Sequence, residues 1–216
     1  NENSQKEGDA EGYSENDFFK DENGERCFIG IKNGKANLIF ESKIINTEYS
    51  DINDASLTYN KNNELSYIAK SAGRFYEQQG NEFVVSGNKI YDTFQNVYPP
   101  VLFNSNNEPV YSCSDSVSEN SNNYYLVIGN EIQTVKNINS SEPVKFTSWI
   151  KDLKINADGN ITYIGMDEII IPAKKTDPDI EVYDEYFTKS YFVKNNLASE
   201  LGYNIGNTKY GSNGNI

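Results

Sequence analysis

Apolar and polar residues alternate in short runs along most of this chain, and turns rich in Asn and Gly cut the runs apart. The stretch Leu57-Thr-Tyr-Asn-Lys-Asn-Asn63-Glu64-Leu-Ser-Tyr67-Ile-Ala69 sets the pattern. A strand ends in Asn, a tight turn follows, and a second strand carries an aromatic at a fixed offset. Period-two alternation predicts strands buried on one face. Asn, Asp and Gly are the residue types that tolerate φ > 0 in a tight hairpin.

The unit recurs. Val101–Tyr111, Leu153–Gly165 and Phe18–Gly30 have the same layout, with the turn centred on Asn107, Gly159 and Gly24. The key aromatics are Phe28, Tyr67, Tyr111 and Tyr163, spaced 39, 44 and 52 residues apart. Glu200-Leu-Gly-Tyr203-Asn-Ile-Gly206 is a weaker fifth echo. Downstream of the first three turns comes a second element: Asn37–Ile45, Glu82–Ile90 and Tyr124–Ile132. In the last two it reads strand, Gly-Asn turn, strand. Each copy thus predicts about four strands in roughly 40–50 residues, the size of a propeller blade.

The expected fold is all-β, a β-propeller of about four to five four-stranded blades. The blades fall at 13–48, 55–94, 98–136 and 151–192, with a partial fifth at 193–206. An acidic segment 1–12 precedes them and a polar tail 207–216 follows. Ser190–Asn195 and Glu200–Ile205 are expected as two further strands, and helical pieces, such as Val193–Leu201, are expected to be short. Ser112–Asn123, rich in Ser and Asn, is expected as a long hairpin loop, Asn137–Ser148 as an insertion and 173–180 as a polar turn. Ring closure has three solutions: a small ring of four or five blades, which is preferred, a piece of a larger ring, or an open array completed by another copy. Open strand edges are sticky, so an open array implies a partner.

The pattern resembles WD40-like propeller repeats of the TolB type. Their blades place a Phe-Ser-Pro-Asp-Gly-type turn before a strand with Tyr, then a Val-rich strand ending in Gly. Val101-Leu-Phe103-Asn-Ser-Asn-Asn107-Glu-Pro-Val-Tyr111 and Phe83-Val-Val-Ser-Gly87 follow that layout. The resemblance covers residues 18–172; the Pro of the family turn is absent from every copy, and Asn replaces Gly in two. It implies a propeller scaffold of repeated blades.

Composition narrows the chemistry. The 216 residues carry 19 Lys and Arg against 32 Asp and Glu, a formal charge of −13, with no His. Without His there is no Ser-His-Asp or Cys-His site. A strongly acidic chain repels phosphate backbones, so nucleic-acid binding through a basic face is not expected. No apolar run reaches the roughly 18–20 residues of a membrane span. Two Cys in an acidic chain that opens on Asn1-Glu2-Asn3-Ser4 fit a mature exported chain or a fragment, in an extracellular, cell-surface or periplasmic setting. The 16 Tyr and 11 Phe rule out a chain without a core.

The sequence offers four candidate chemistries. Alternation places Cys27 and Cys113 on opposite faces of equivalent strands two blades apart, so two buried thiols are expected rather than a disulfide. Asp21–Glu25 and Asn156–Asn160 set oxygen side chains around a Gly, as part of a calcium loop does. The equivalent turns at Asn60–Asn63 and Asn104–Asn107 carry little charge, so turn geometry is the expected role and no cofactor is assigned, calcium being the one ion considered. Asp177, Asp179, Glu181 and Asp184 form a second acidic cluster, read as a solvated loop. Paired carboxylates could hydrolyse a glycosidic bond without His, which makes a glycoside hydrolase on a five-bladed propeller the rival reading. Aromatics in or near the less regular segments suit recognition of a glycan or a protein. Trp149 heads this group, with Tyr124, Tyr125 and Tyr186. The expectation is a non-enzymatic exported binding or assembly module with a protein or glycan partner. A structural subunit that self-associates is the third reading.

Overall fold

A computed structural model describes residues 19–20, 24–71, 80–118, 121–140, 142–171 and 185–205. Every regular element among them is a β-strand. Sheet 1 joins β1 (Phe19–Lys20), β2 (Arg26–Lys32), β3 (Lys35–Ile39) and β4 (Ile44–Asn46). Sheet 2 joins β5 (Asp51–Tyr59), β6 (Leu65–Lys70), β7 (Glu82–Ser86) and β8 (Lys89–Ile90). Sheet 3 joins β9 (Asn96–Phe103), β10 (Pro109–Ser118), β11 (Ser121–Ile128) and β12 (Glu131–Ile132). A small hairpin, β13 (Val135–Asn137) and β14 (Pro143–Val144), leads into sheet 4. That sheet contains β15 (Trp149–Ile155), β16 (Ile161–Ile171), β17 (Glu185–Lys194) and β18 (Leu197–Ile205). Each set of four is an antiparallel meander in sequence order, and β13 adds to sheet 4 by pairing parallel to β18.

The repeat read from the turns holds at the level of backbone geometry. Gly24, Asn63, Asn107 and Gly159 all take φ between 60° and 81°. Their position needs the left-handed region, which Gly enters freely and Asn at modest cost. Cross-strand registers repeat as well. Phe28 opposes Ile39, Tyr67 opposes Val85, Tyr111 opposes Val127, and Tyr163 opposes Val193. One residue along, on the other face, Ile29 opposes Leu38, Ile68 opposes Val84, Ser112 opposes Leu126, and Ile164 opposes Phe192.

These two faces build the core. The first-named pair of each sheet points to the preceding sheet, here the upstream face; the second points to the following sheet, the downstream face. Leu38 and Phe40 of sheet 1 pack against Tyr67 and Val85. Ile68 and Val84 of sheet 2 pack against Tyr111 and Val127. Val110 and Leu126 of sheet 3 pack against Tyr163 and Val193. The first strand of each later sheet lies closest to its predecessor: β5 touches β1, β2 and β3, β9 touches β5, β6 and β7, and β15 touches β9 and β11. All three of these strands slip register in mid-course, at 53–58 in β5, in β9 opposite 110–112, and at 151–154 in β15. Such bulges bend a strand and strengthen its twist.

Several expectations change. Ser190–Asn195 and Glu200–Ile205 do not start a fifth unit; they lie in the third and fourth strands of sheet 4, and the helical pattern at Val193–Leu201 is a strand–turn–strand. The turn is Asn195-Asn196, both at positive φ, the two-residue geometry that matches strand twist. Of the stretch Ser112–Asn123, residues 112–118 and 121–123 lie in two strands rather than a loop, because Ser112 and Ser114 are buried between sheets with their backbones paired. Asn137–Ser148 contributes the β13–β14 hairpin. Cys27 and Cys113 are free and buried, one on a downstream face and one on an upstream face. Phe28 holds the key aromatic position yet is 41% exposed, because its upstream face belongs to the first sheet. The segments 1–12, 173–180 and 207–216, and the acids Asp177, Asp179, Glu181 and Asp184, lie outside the described residues.

Candidate functional site

Sheet 3 places Tyr98, Ser114 and Tyr124 side by side on its downstream face, at the end where β9 begins. The alternation that buries Val97 upstream turns Tyr98 downstream. Tyr98 and Tyr124 stack at 5.8 Å with an interplanar angle of 24°. Trp149, the first residue of β15, closes the group, with its ring 5.9 Å from Tyr98 and 5.9 Å from Tyr124. Offset or tilted ring pairs at 4.5–7 Å are the favourable aromatic geometry.

The approach to Trp149 is fixed by hydrogen bonds on both sides. Tyr124 donates its backbone N–H to the carbonyl of Phe146 at 2.8 Å. The Thr147 hydroxyl donates to Asp167 Oδ1 at 2.7 Å and accepts from the Glu168 amide at 2.9 Å. Ser148 N–H donates to Met166 O at 3.1 Å. Beneath, Phe146 is edge-on to Tyr163 at 6.1 Å and tilted against Tyr191 at 6.1 Å. Gly165 makes room for that ring: a Cβ there would lie 2.2 Å from Phe146. The indole therefore rests on a rigid base while remaining 53% exposed.

Polar groups border the rings. Tyr98 Oη and Ser114 Oγ lie 3.0 Å apart, and Asn96 Nδ2 donates to the same Ser114 oxygen at 3.3 Å. Burial pushes the Tyr98 phenol above its usual range, the Ser114 bond opposes this, and Tyr124 adds to it. At neutral pH the phenol is thus an uncharged hydroxyl, able to donate or accept. A groove of about 290 Å³ continues from Tyr124, between the β11 edge and the Pro143–Phe146 strand end, lined also by Tyr125, Gln133, Val135 and Lys145.

The triangle of rings is too tight for a cage. A cation held between aromatic faces sits within about 6 Å of each centroid, with the rings spread around it. Here the centroids are within 5.9 Å of one another, so the rings fill the space themselves. What they present is an outward platform.

Of the residues expected from sequence, Trp149 and Tyr124 meet at this platform. Tyr125 lies on the opposite face of β11, packed against the cluster of Tyr111 and Cys113, and reaches only the groove. The Tyr186 backbone pairs with Ile170 between β16 and β17; its side chain lies outside the described residues. Tyr98 was missed. Its only signal was alternation with Val97, which marks it as facing sheet 4 but not as Trp149's neighbour.

Among the described residues the carboxylates form no comparable centre. Asp51, Asp54, Lys70 and Glu82 line a polar hollow on sheet 2. Glu82 Oε2 accepts the Val97 amide at 2.8 Å, tying sheet 2 to sheet 3. Asp51 and Asp54 each accept the amide of the next residue. Asp158, in the Asn156–Asn160 turn, accepts the Asn160 amide, and this bond lowers its pKa. Among the described residues no group of three or more acidic or Cys side chains is arranged to hold a metal ion, and no helix is long and apolar enough to cross a membrane.

No family model, no curated protein and no solved structure matches this chain.

Proposed function

We propose that the four sheets are blades of a propeller-type array, and that the protein is a non-enzymatic, exported or cell-surface module that binds a glycan on the Tyr98–Tyr124–Trp149 platform. The observation that carries this reading is the exposed indole of Trp149 seated on two tyrosine rings from another sheet. Aromatic faces attract the C–H face of a sugar ring through dispersion and the ring quadrupole. The Asn96 amide and the Tyr98 hydroxyl, both held by the buried Ser114 oxygen, are small groups that donate and accept, as hydroxyl-rich ligands need. The net charge of −13 favours a neutral glycan over an anionic one. The repeated four-stranded meander, each packed on the next, supports the propeller reading of the scaffold.

The test is calorimetric titration of the protein with neutral hexose and N-acetylhexosamine oligosaccharides, followed by mass analysis of the recovered sugars. Binding that Trp149→Ala abolishes, with the sugars intact, is expected. Shortened sugars would favour the carboxylate hydrolase instead. Binding unaffected by Trp149→Ala would sink the platform.

A further inference from the structure

In the first three sheets, the chain that leaves the fourth strand returns to the third strand through an aromatic residue. The amides of Ala36, Glu82 and Tyr124 donate to the carbonyls of Tyr49, Phe94 and Phe146, each at 2.8 Å. These three rings stand edge-on to the key tyrosines Tyr67, Tyr111 and Tyr163, at 6.4, 6.3 and 6.1 Å. The segment between strand and aromatic is residues 47–48 after sheet 1 and 91–93 after sheet 2, but 133–145 after sheet 3. The long segment starts as the short one does: Gln133 N–H donates to Leu126 O at 2.9 Å, as Tyr91 N–H does to Val84 O at 3.0 Å. The extra residues are therefore an insertion that leaves the repeat on either side intact.

The insertion builds a wall. Its strand β13 pairs parallel to β18, with Lys136 N–H donating to Asn196 O and Ile138 N–H to Ala198 O, both at 2.9 Å. The Asn196 side-chain amide donates to Gln133 Oε1 at 3.0 Å. Pinned to sheet 4 in this way, the hairpin bounds the groove that begins at Tyr124, a ring of the platform. The groove has two kinds of lining. Leu126, Val135 and Phe146, all buried, and the half-buried Val144 are apolar; the exposed Thr134 and Lys145 are polar. Its volume of about 290 Å³ lies just below the usual range for a whole small-molecule ligand, so it suits one substituent or ring rather than a chain. A plain hexose carries hydroxyls on every side and would leave them unpaired against the apolar wall. An acetamido group matches both linings. Its methyl suits the apolar wall, its N–H can donate to the Thr134 hydroxyl, and its carbonyl can accept from the Lys145 ammonium.

We infer that the groove made by the insertion is a specificity subsite for the acetamido group of an N-acetylhexosamine, one unit along from the sugar stacked on the platform. This rests on the glycan reading of the platform and narrows it: the ligand is an N-acetylated glycan of at least two units, not a plain hexose chain.

The test is calorimetric titration with cellobiose and with di-N-acetylchitobiose, which share ring type and linkage and differ in the acetamido groups. Wild type is expected to bind the acetylated sugar about tenfold more tightly, the combined worth of a buried methyl and a hydrogen bond. Val144→Phe fills the groove and is expected to bring the two affinities together. Thr134→Phe, at an exposed site, repeats the block with less risk to folding, which circular dichroism checks. Equal affinities in wild type, with binding still lost in Trp149→Ala, overturn the subsite and leave the platform standing. Binding of neither sugar overturns the platform reading and the subsite with it. A preference that survives both groove substitutions places the acetamido group elsewhere and overturns the subsite.

Discussion

The ring of Trp149 lies 5.9 Å from that of Tyr98, although one opens sheet 4 and the other belongs to sheet 3. The two meet because β15 packs against β9 and because bonds at Tyr124, Thr147 and Ser148 fix the segment entering β15. The platform is thus a product of sheet stacking, so the scaffold and the site can be tested separately.

The key tyrosines allow a clean comparison. Tyr111 Oη donates to the Gly129 carbonyl at 3.4 Å, whereas the buried Tyr163 Oη has no partner. The turns differ: Gly129 alone has positive φ in its turn, while Asn195 and Asn196 both do. Tyr111→Phe is expected to cost about 0.5–1.5 kcal/mol, the net value of a hydrogen bond. Tyr163→Phe removes a hydroxyl buried without compensation and is expected to be neutral or stabilising. Urea unfolding of both variants measures the difference; an equal loss in both would contradict it.

The Asn turns act between sheets as well as within them. Asn107 has φ 61° and its Oδ1 accepts the Lys61 amide of the neighbouring turn at 2.7 Å. Asn107→Ala loses that bond and sets a Cβ-bearing residue with no local hydrogen bonding in the left-handed region, for a combined cost of about 2–3 kcal/mol. Asn107→Gly loses only the bond and is expected to cost about 1 kcal/mol. Thermal or urea unfolding that ranks Gly below Ala would overturn this assignment.

Alkaline pH is expected to unfold the protein. Burial raises Tyr67 from 10.0 to about 12, and burial pushes Tyr111 and Tyr163 up as well. Above pH 10 the unfolded chain releases phenolic protons that the folded chain keeps, so stability is complete below pH 10 and falls as pH rises through the folded values. Each such tyrosine removes about 1.4 kcal/mol per pH unit in that window. The urea midpoint between pH 9 and 12 reads this directly; a flat profile would show that the tyrosines are not held neutral by the core.

Much of the fold was legible in the sequence because the turn is chemically demanding. Positive φ at one position of each copy admits Gly or Asn and little else, so Gly24, Asn63, Asn107 and Gly159 align. Strand content was harder to read where burial uses small polar residues. Ser112 and Ser114 look like loop yet lie between sheets. The end of the array was misjudged because Asn195-Asn196 closes a hairpin between the third and fourth strands of sheet 4, where the other copies close theirs with Gly-Asn or a longer turn. Two of the three platform rings were legible: Trp149 as an aromatic outside the repeat and Tyr124 as one near a less regular segment. Their contact with Tyr98 depends on how one sheet lies on the next, which alternation along a strand does not encode.

Trp149 is the only tryptophan in the chain, so its fluorescence reports on the platform without labelling. The most direct measurement is its emission during titration with neutral oligosaccharides. A saturable change that Tyr98→Ala weakens, with the protein still folded, is expected if a sugar stacks on the indole. Emission that stays constant across the whole panel would contradict glycan recognition at this site.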